Sequence, residues 1–102
     1  MITYSIKLKD DIYRVAIKGH AGRHEPVFTA FNKCCGMVSL LSQSCAVALA
    51  YKGKDFQLLS NEAGRLEFIV SYDNVSAAVI YALANGLANV HIEFPNELRE
   101  ET

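Results

Sequence analysis

Residues 13–39, YRVAIKGHAGRHEPVFTAFNKCCGMVS, change character twice within one short stretch. Up to Gly19 the apolar residues alternate: Tyr13, Val15 and Ile17 share one side, the spacing of a half-buried strand. Residues 20–31 contain Gly22 and Pro26 and no regular period, which reads as a loop. From about Asn32 the spacing turns helical. Cys34, Val38, Leu41, Cys45 and Ala48 fall at i, i+4, i+7, i+11 and i+14, an apolar stripe suited to packing on a sheet.

Upstream, Ile2, Tyr4, Ile6 and Leu8 alternate in the same way, and the "KDD" that follows can turn. The two alternating runs therefore predict a hairpin. Downstream, "YKGKD" ends the helix, and residues 56–60 and 65–71 read as two strands around the turn "NEAG". Asp73 or Asn74 can cap a second helix whose stripe is Val75, Val79, Ala82, Leu83 and Leu87. "HIEF" reads as an edge strand before Pro95, and "NELREET" as a solvated tail. The order ββαββα predicts a single α+β domain over residues 1–102. It has two layers, with two helices on one face of a mostly antiparallel sheet. The two halves share this rhythm without a sequence repeat.

Composition sets the class. At 102 residues, half of them hydrophobic and about a fifth charged, the chain is globular with one core. A net charge of −1 without a long basic run gives no expectation of direct nucleic-acid binding. The opening "MITYSIKLKDD" alternates in polarity and carries charge from Lys7 onward, so it is expected to be neither a signal peptide nor a membrane span. Three cysteines without a secretion signal point to reduced thiols and a cytoplasmic protein.

The thiols admit three uses. Metal binding fits poorly, because Cys34 and Cys35 are adjacent and diverge by about 100° on a helix. Cys45 lies roughly 15 Å beyond Cys35 along the same axis. His20 and His24 could join one thiol, yet a fourth ligand is not evident. Burial as small core residues suits Cys34 and Cys45, which lie on the stripe. It suits Cys35 less well, since that residue sits at the stripe's edge near the expected helix start, where free N–H groups favour a thiolate. A histidine placed by a rigid strand end, His20, could serve such a thiolate as base; His24 and His91 read as bystanders.

The "GHAG" of residues 19–22, followed after a loop by the "CCGMVSLL" of residues 34–41, resembles the ribosomal-processing cysteine protease (Prp) family of bacteria. Nearly the whole chain shares that family's length and ββαββα order. The resemblance implies a cysteine endopeptidase, a hydrolase that needs no cofactor or metal, with Cys35 as nucleophile and His20 as base. Ser39 matches the motif serine and would support the site, as would Gly19, Gly22 and Gly36. The implied substrate is the N-terminal extension of ribosomal protein twenty-seven of the large subunit, cut after an aromatic residue during ribosome maturation. The implied assembly is a homodimer, with no membrane partner. The chain departs from the family pattern before the nucleophile: Ala30 stands for a glycine, Asn32 for an acid, and Met37 for a smaller residue. Those departures define the alternative, a peptide-binding or ribosome-associated homodimer of the same fold with weakened or lost catalysis.

Overall fold

A computed structural model describes residues 1–19 and 30–101. Its elements run β1 (Ile2–Lys9), β2 (Ile12–Lys18), α1 (Ala30–Lys52), β3 (Gln57–Glu62), β4 (Arg65–Ser71), α2 (Asn74–Glu93) and β5 (Leu98–Glu100). The strands form one sheet in the order β3-β4-β2-β1-β5, antiparallel except for the β1–β5 pair. Both helices lie on one face, giving the expected two-layer α+β arrangement.

The first hairpin turns at Asp10 and Asp11, whose φ angles of 53° and 62° are left-handed. Asp tolerates that region, and two such residues match the right-handed twist of the flanking strands. The register pairs Tyr4 with Ile17 and Ile6 with Val15, so the apolar residues of both strands share the helix-facing side. Against them pack Leu66, Phe68 and Val70 of β4, all buried.

Among the described side chains of α1 the buried residues are Cys34, Val38, Ser42, Ala46 and Leu49. Ala48, placed by spacing on the stripe, is exposed. On α2 the buried set is Ser76, Ile80, Leu83, Leu87 and Val90, while Val75 and Ala82 face outward. In both cases a small serine occupies a core position that apolar spacing skips. Each satisfies its hydroxyl locally: Ser42 donates to the Val38 carbonyl (2.7 Å) and Ser76 to the Ser71 carbonyl (2.7 Å). By length and composition both helices would suffice to cross a membrane. In this fold each lies along the sheet, with Leu49, Leu83 and Leu87 fully buried beneath them.

Three boundaries differ from expectation. The first helix starts at Ala30, two residues early. The third strand begins at Gln57 and runs through Glu62, because the turn is only Ala63–Gly64, with Gly64 at φ 79°. The largest difference is at the C-terminus. "HIEF" is not an edge strand; α2 continues through Glu93 and ends at Phe94, just before Pro95. The edge strand is instead Leu98–Glu100, within the tail expected to be solvated. Leu98 is fully buried, pairs with Ile2, and receives a tie from the Ile2 amide to the Glu97 carbonyl (2.8 Å).

Candidate active site

The site begins where β2 ends. Gly19 has φ 101°, and a Cβ built there would stand 2.3 Å from the Met1 carbonyl oxygen. Only glycine fits so close a backbone approach at that angle. Its amide donates to the Gly64 carbonyl (2.9 Å), joining the end of β2 to the β3–β4 turn. The chain leading into His20 is thereby fixed against two neighbouring strands.

Next to this joint lies a concavity of about 80 Å³. Ile2, Ile17, Val38 and Leu66 supply apolar walls, and Cys35, Ser39 and Gln43 of α1 supply polar ones. The opposite rim is the β3–β4 hairpin, through Glu62, Gly64 and Arg65. Gln43 donates to the Asn61 side-chain carbonyl (3.0 Å), which links α1 to that rim.

The adjacent thiols take different environments. Cys34 is fully buried, and its ionisation is pushed from an ordinary 9.0 up to about 11. Burial is the main cause; the Glu97 carboxylate and Cys35 add to it, while the N-terminal ammonium opposes it. Burial also raises the thiol of Cys45, which is half-buried and lines no part of the concavity. Cys35 is half-buried and is the one thiol on the concavity.

One expectation about Cys35 changes. With α1 starting at Ala30, Cys35 is the sixth helical residue. A helix leaves its first four N–H groups without intrahelical partners, and the dipole acts mainly within the first turn. The amides of Cys35 and Gly36 lie beyond that turn, so the helix-start argument for a thiolate loses its basis. The surroundings of Gly36 are open: a Cβ added there would meet nothing within 4 Å.

His20, Gly22 and His24 lie outside the described residues. His91 is remote from the concavity; its Nδ1–H donates to the Leu98 carbonyl and so fastens α2 to β5.

Comparison with protein-family models gives no match, and neither does comparison with curated proteins. Solved structures do match. The chain superposes over 99% of its length on 92% of SMU.848 from Streptococcus mutans, with a TM-score of 0.76 and 24% identity. It also covers 98% of the essential ribosomal processing protease Prp from S. aureus in complex with a covalently linked product peptide, with a TM-score of 0.74 and 16% identity. The same protease in complex with a substrate peptide gives a TM-score of 0.71. The chain has the Prp fold.

Within that fold, sequence reading brought Gly19, Cys35 and Ser39 forward, and the structure gathers these three around one concavity. It did not bring forward Gln43, Glu62 or Arg65. Gln43 follows Cys35 and Ser39 at four-residue spacing along one face of α1. Nothing local marks Glu62 and Arg65, which reach the site because β4 pairs with β2 and sets the far hairpin beside Gly19. That pairing is a long-range consequence of strand order.

Proposed function

We propose that this protein is a cysteine endopeptidase of the cytoplasm. In this reading it removes the N-terminal extension of ribosomal protein twenty-seven of the bacterial large subunit. The observation that carries the reading is the placement of Cys35. Of three thiols it alone lines the concavity, beside the glycine that delivers the chain to His20, in a fold shared with a protease captured with peptides.

His20 takes the proton from Cys35 Sγ, and the thiolate adds to the scissile carbonyl carbon. Collapse of the tetrahedral intermediate breaks the C–N bond, and the departing amine receives the proton from the imidazolium. Water, deprotonated by His20, then hydrolyses the thioester and returns the thiolate. Gly36 and Ser39 leave the approach to Sγ uncrowded, since one has no side chain and the other a small one. The exposed apolar side chains Leu40, Val47 and Tyr51 of α1, with Tyr81 and Ile92 of α2, supply the surface for a homodimer.

The test is cleavage of a peptide carrying the first dozen or so residues of the host's own ribosomal protein. Wild type cuts it after an aromatic residue, Cys34→Ala still cuts, and Cys35→Ala and His20→Ala do not. Turnover by Cys35→Ala would end the assignment. The second reading, a homodimer that binds the peptide without cutting it, draws on the position of Cys35 beyond the first turn of α1. Slow alkylation of Cys35 near neutral pH, with peptide binding intact, would favour it.

A further inference from the structure

The helix-free face of the sheet gathers the chain's positive charge. Lys7, Lys9, Arg14, Lys18, Arg65 and Arg99 are all exposed and all belong to the strand positions that point away from the helices. They are six of the ten lysines and arginines in a chain of net charge −1. The carboxylates on the same side among the described residues are Glu62, Glu67 and Glu101, with Asp55 at one end accepting from Ser71 Oγ, so the face is still net positive while the remainder is negative.

The register sorts these charges into rows. Arg99, Thr3, Lys18, Arg65 and Glu62 stand opposite one another across all five strands. The next row of outward residues holds Ser5, Ala16, Glu67 and Ser60, and the one after holds Lys7, Arg14, Ile69 and Gln57. At about 3.3 Å per residue, the two cationic rows run roughly 13 Å apart. At about 4.8 Å between strands, the longer row spans roughly 19 Å. Glu67 sits between them, buried, with Arg14 Nη2 at 3.2 Å and Arg65 Nη2 at 3.8 Å. It holds both guanidinium groups over the sheet while their side chains stay half exposed or more, at 61% and 50%. A guanidinium has five N–H donors, so each retains several for a second acceptor. Among the described residues Lys7, Lys18 and Arg99 have no ion-pair partner.

We infer that this face docks the phosphodiester backbone of RNA. The fit is one of charge: two parallel cationic rows on a broad sheet match a polyanion. Protein partners are anchored chiefly by buried Trp, Tyr and Arg in dry pockets, whereas the arginines here stay exposed and no aromatic residue is among the outward positions of these rows. Apart from Ile12 and Ile69 toward one end, the outward positions in these rows are small, polar or charged. With no aromatic side chain for bases to stack on, the binding is to the backbone and is sequence-tolerant. The choice of RNA over DNA rests on the proposed role in ribosome maturation; the polyanion site itself does not.

The experiment measures binding of a fluorescein-labelled twelve-nucleotide oligouridine by anisotropy as salt is varied. Wild type binds at low salt with a negative slope of log K against log salt, about 0.7 for each phosphate engaged on a single strand. The triple variant Lys7→Gln/Lys18→Gln/Arg99→Gln binds at least tenfold more weakly, with a slope shallower by about 2. No binding by wild type at low salt, or an unchanged slope in the triple variant, overturns the inference. A deca-glutamate peptide that binds as tightly overturns it in favour of an acidic protein partner. A DNA strand of equal length that binds as tightly overturns the choice of RNA. Because no cleavage is read, failure here leaves the protease reading standing, and Cys35→Ala, inactive as a protease, still binds the RNA.

Discussion

The molecule contains two ββα units that differ at one joint. In the second unit, only Tyr72 and Asp73 separate β4 from α2, and both backbone amides and the capping carboxylate there are engaged. Asp73 accepts from the Ser76 amide (2.7 Å), Ser76 Oγ accepts from the Asp73 amide (2.9 Å), and the Tyr72 amide donates to Asp11 (2.8 Å). In the first unit, residues 19–29 separate β2 from α1. The concavity with Cys35 lies beside this longer joint. One strand-to-helix connection secures the fold, and its counterpart borders the concavity proposed as the active site.

The largest effect is expected at the entrance to the longer joint. Gly19→Ala forces a Cβ into the Met1 carbonyl at a left-handed angle, so the variant should lose several kcal/mol or fail to accumulate folded. Gly64→Ala has the unfavourable angle, 79°, and should cost only about 1–2 kcal/mol. Urea midpoints of the two variants measure the difference. Similar losses at both sites would mean that the close approach at Gly19 relaxes.

Leu98→Ala removes a fully buried side chain from the strap that follows α2, at an expected cost of about 2–5 kcal/mol. Amide exchange should show β5 released and β1 newly unprotected along that edge. A surface-like loss under about 0.5 kcal/mol would contradict the burial of this strand.

At the second joint, Asp73→Ala should lower the urea midpoint at pH 7, and Asp73→Asn much less, since Asp and Asn can both cap. The Ser76 amide and hydroxyl hold the Asp73 carboxyl below its ordinary range. A depressed carboxyl stabilises the fold above its unfolded-state value and ceases to do so as pH falls through the folded one. The gap between wild type and Asp73→Ala should therefore shrink below about pH 4.

The smallest effect is expected at Cys34. Cys34→Ala should cost on the order of 1 kcal/mol near neutral pH. Because burial raises this thiol to about 11, the folded protein binds its proton more tightly than the unfolded chain does. That contribution is complete below 9.0 and is lost as pH rises toward 11, so wild type should lose its advantage over the variant in that window. A limited dose of alkylating reagent should label Cys35 and spare Cys34, as read by peptide mapping. Labelling of Cys34 would exchange the roles of the two thiols.

Much of this was legible where physics is local. Alternation gave the first hairpin, Asp73 announced its cap, and the stripe put Cys34 inward and Cys35 at the edge. The failures have identifiable causes. Ser42 and Ser76 are polar yet buried, because a hydroxyl can bond a carbonyl of its own helix or of the adjoining strand. Leu98 is a single apolar residue among charges, and only pairing with β1 makes it part of a strand. Net charge concealed the basic face because opposite signs are separated by strand parity, a property of the sheet that a sum over the chain erases.

The packing of Met1 against Gly19 has a practical consequence for handling the protein. Residues added ahead of Met1 emerge beside Ile2 and Gly19, both of which line the concavity. An amino-terminal affinity tag would start at the mouth of the site under assay and could compete there with an added peptide. A carboxy-terminal tag leaves from the far side of β1, beyond the hydrogen bond from the Glu101 amide to the Tyr4 carbonyl. Tag position is thus part of any activity measurement on this chain.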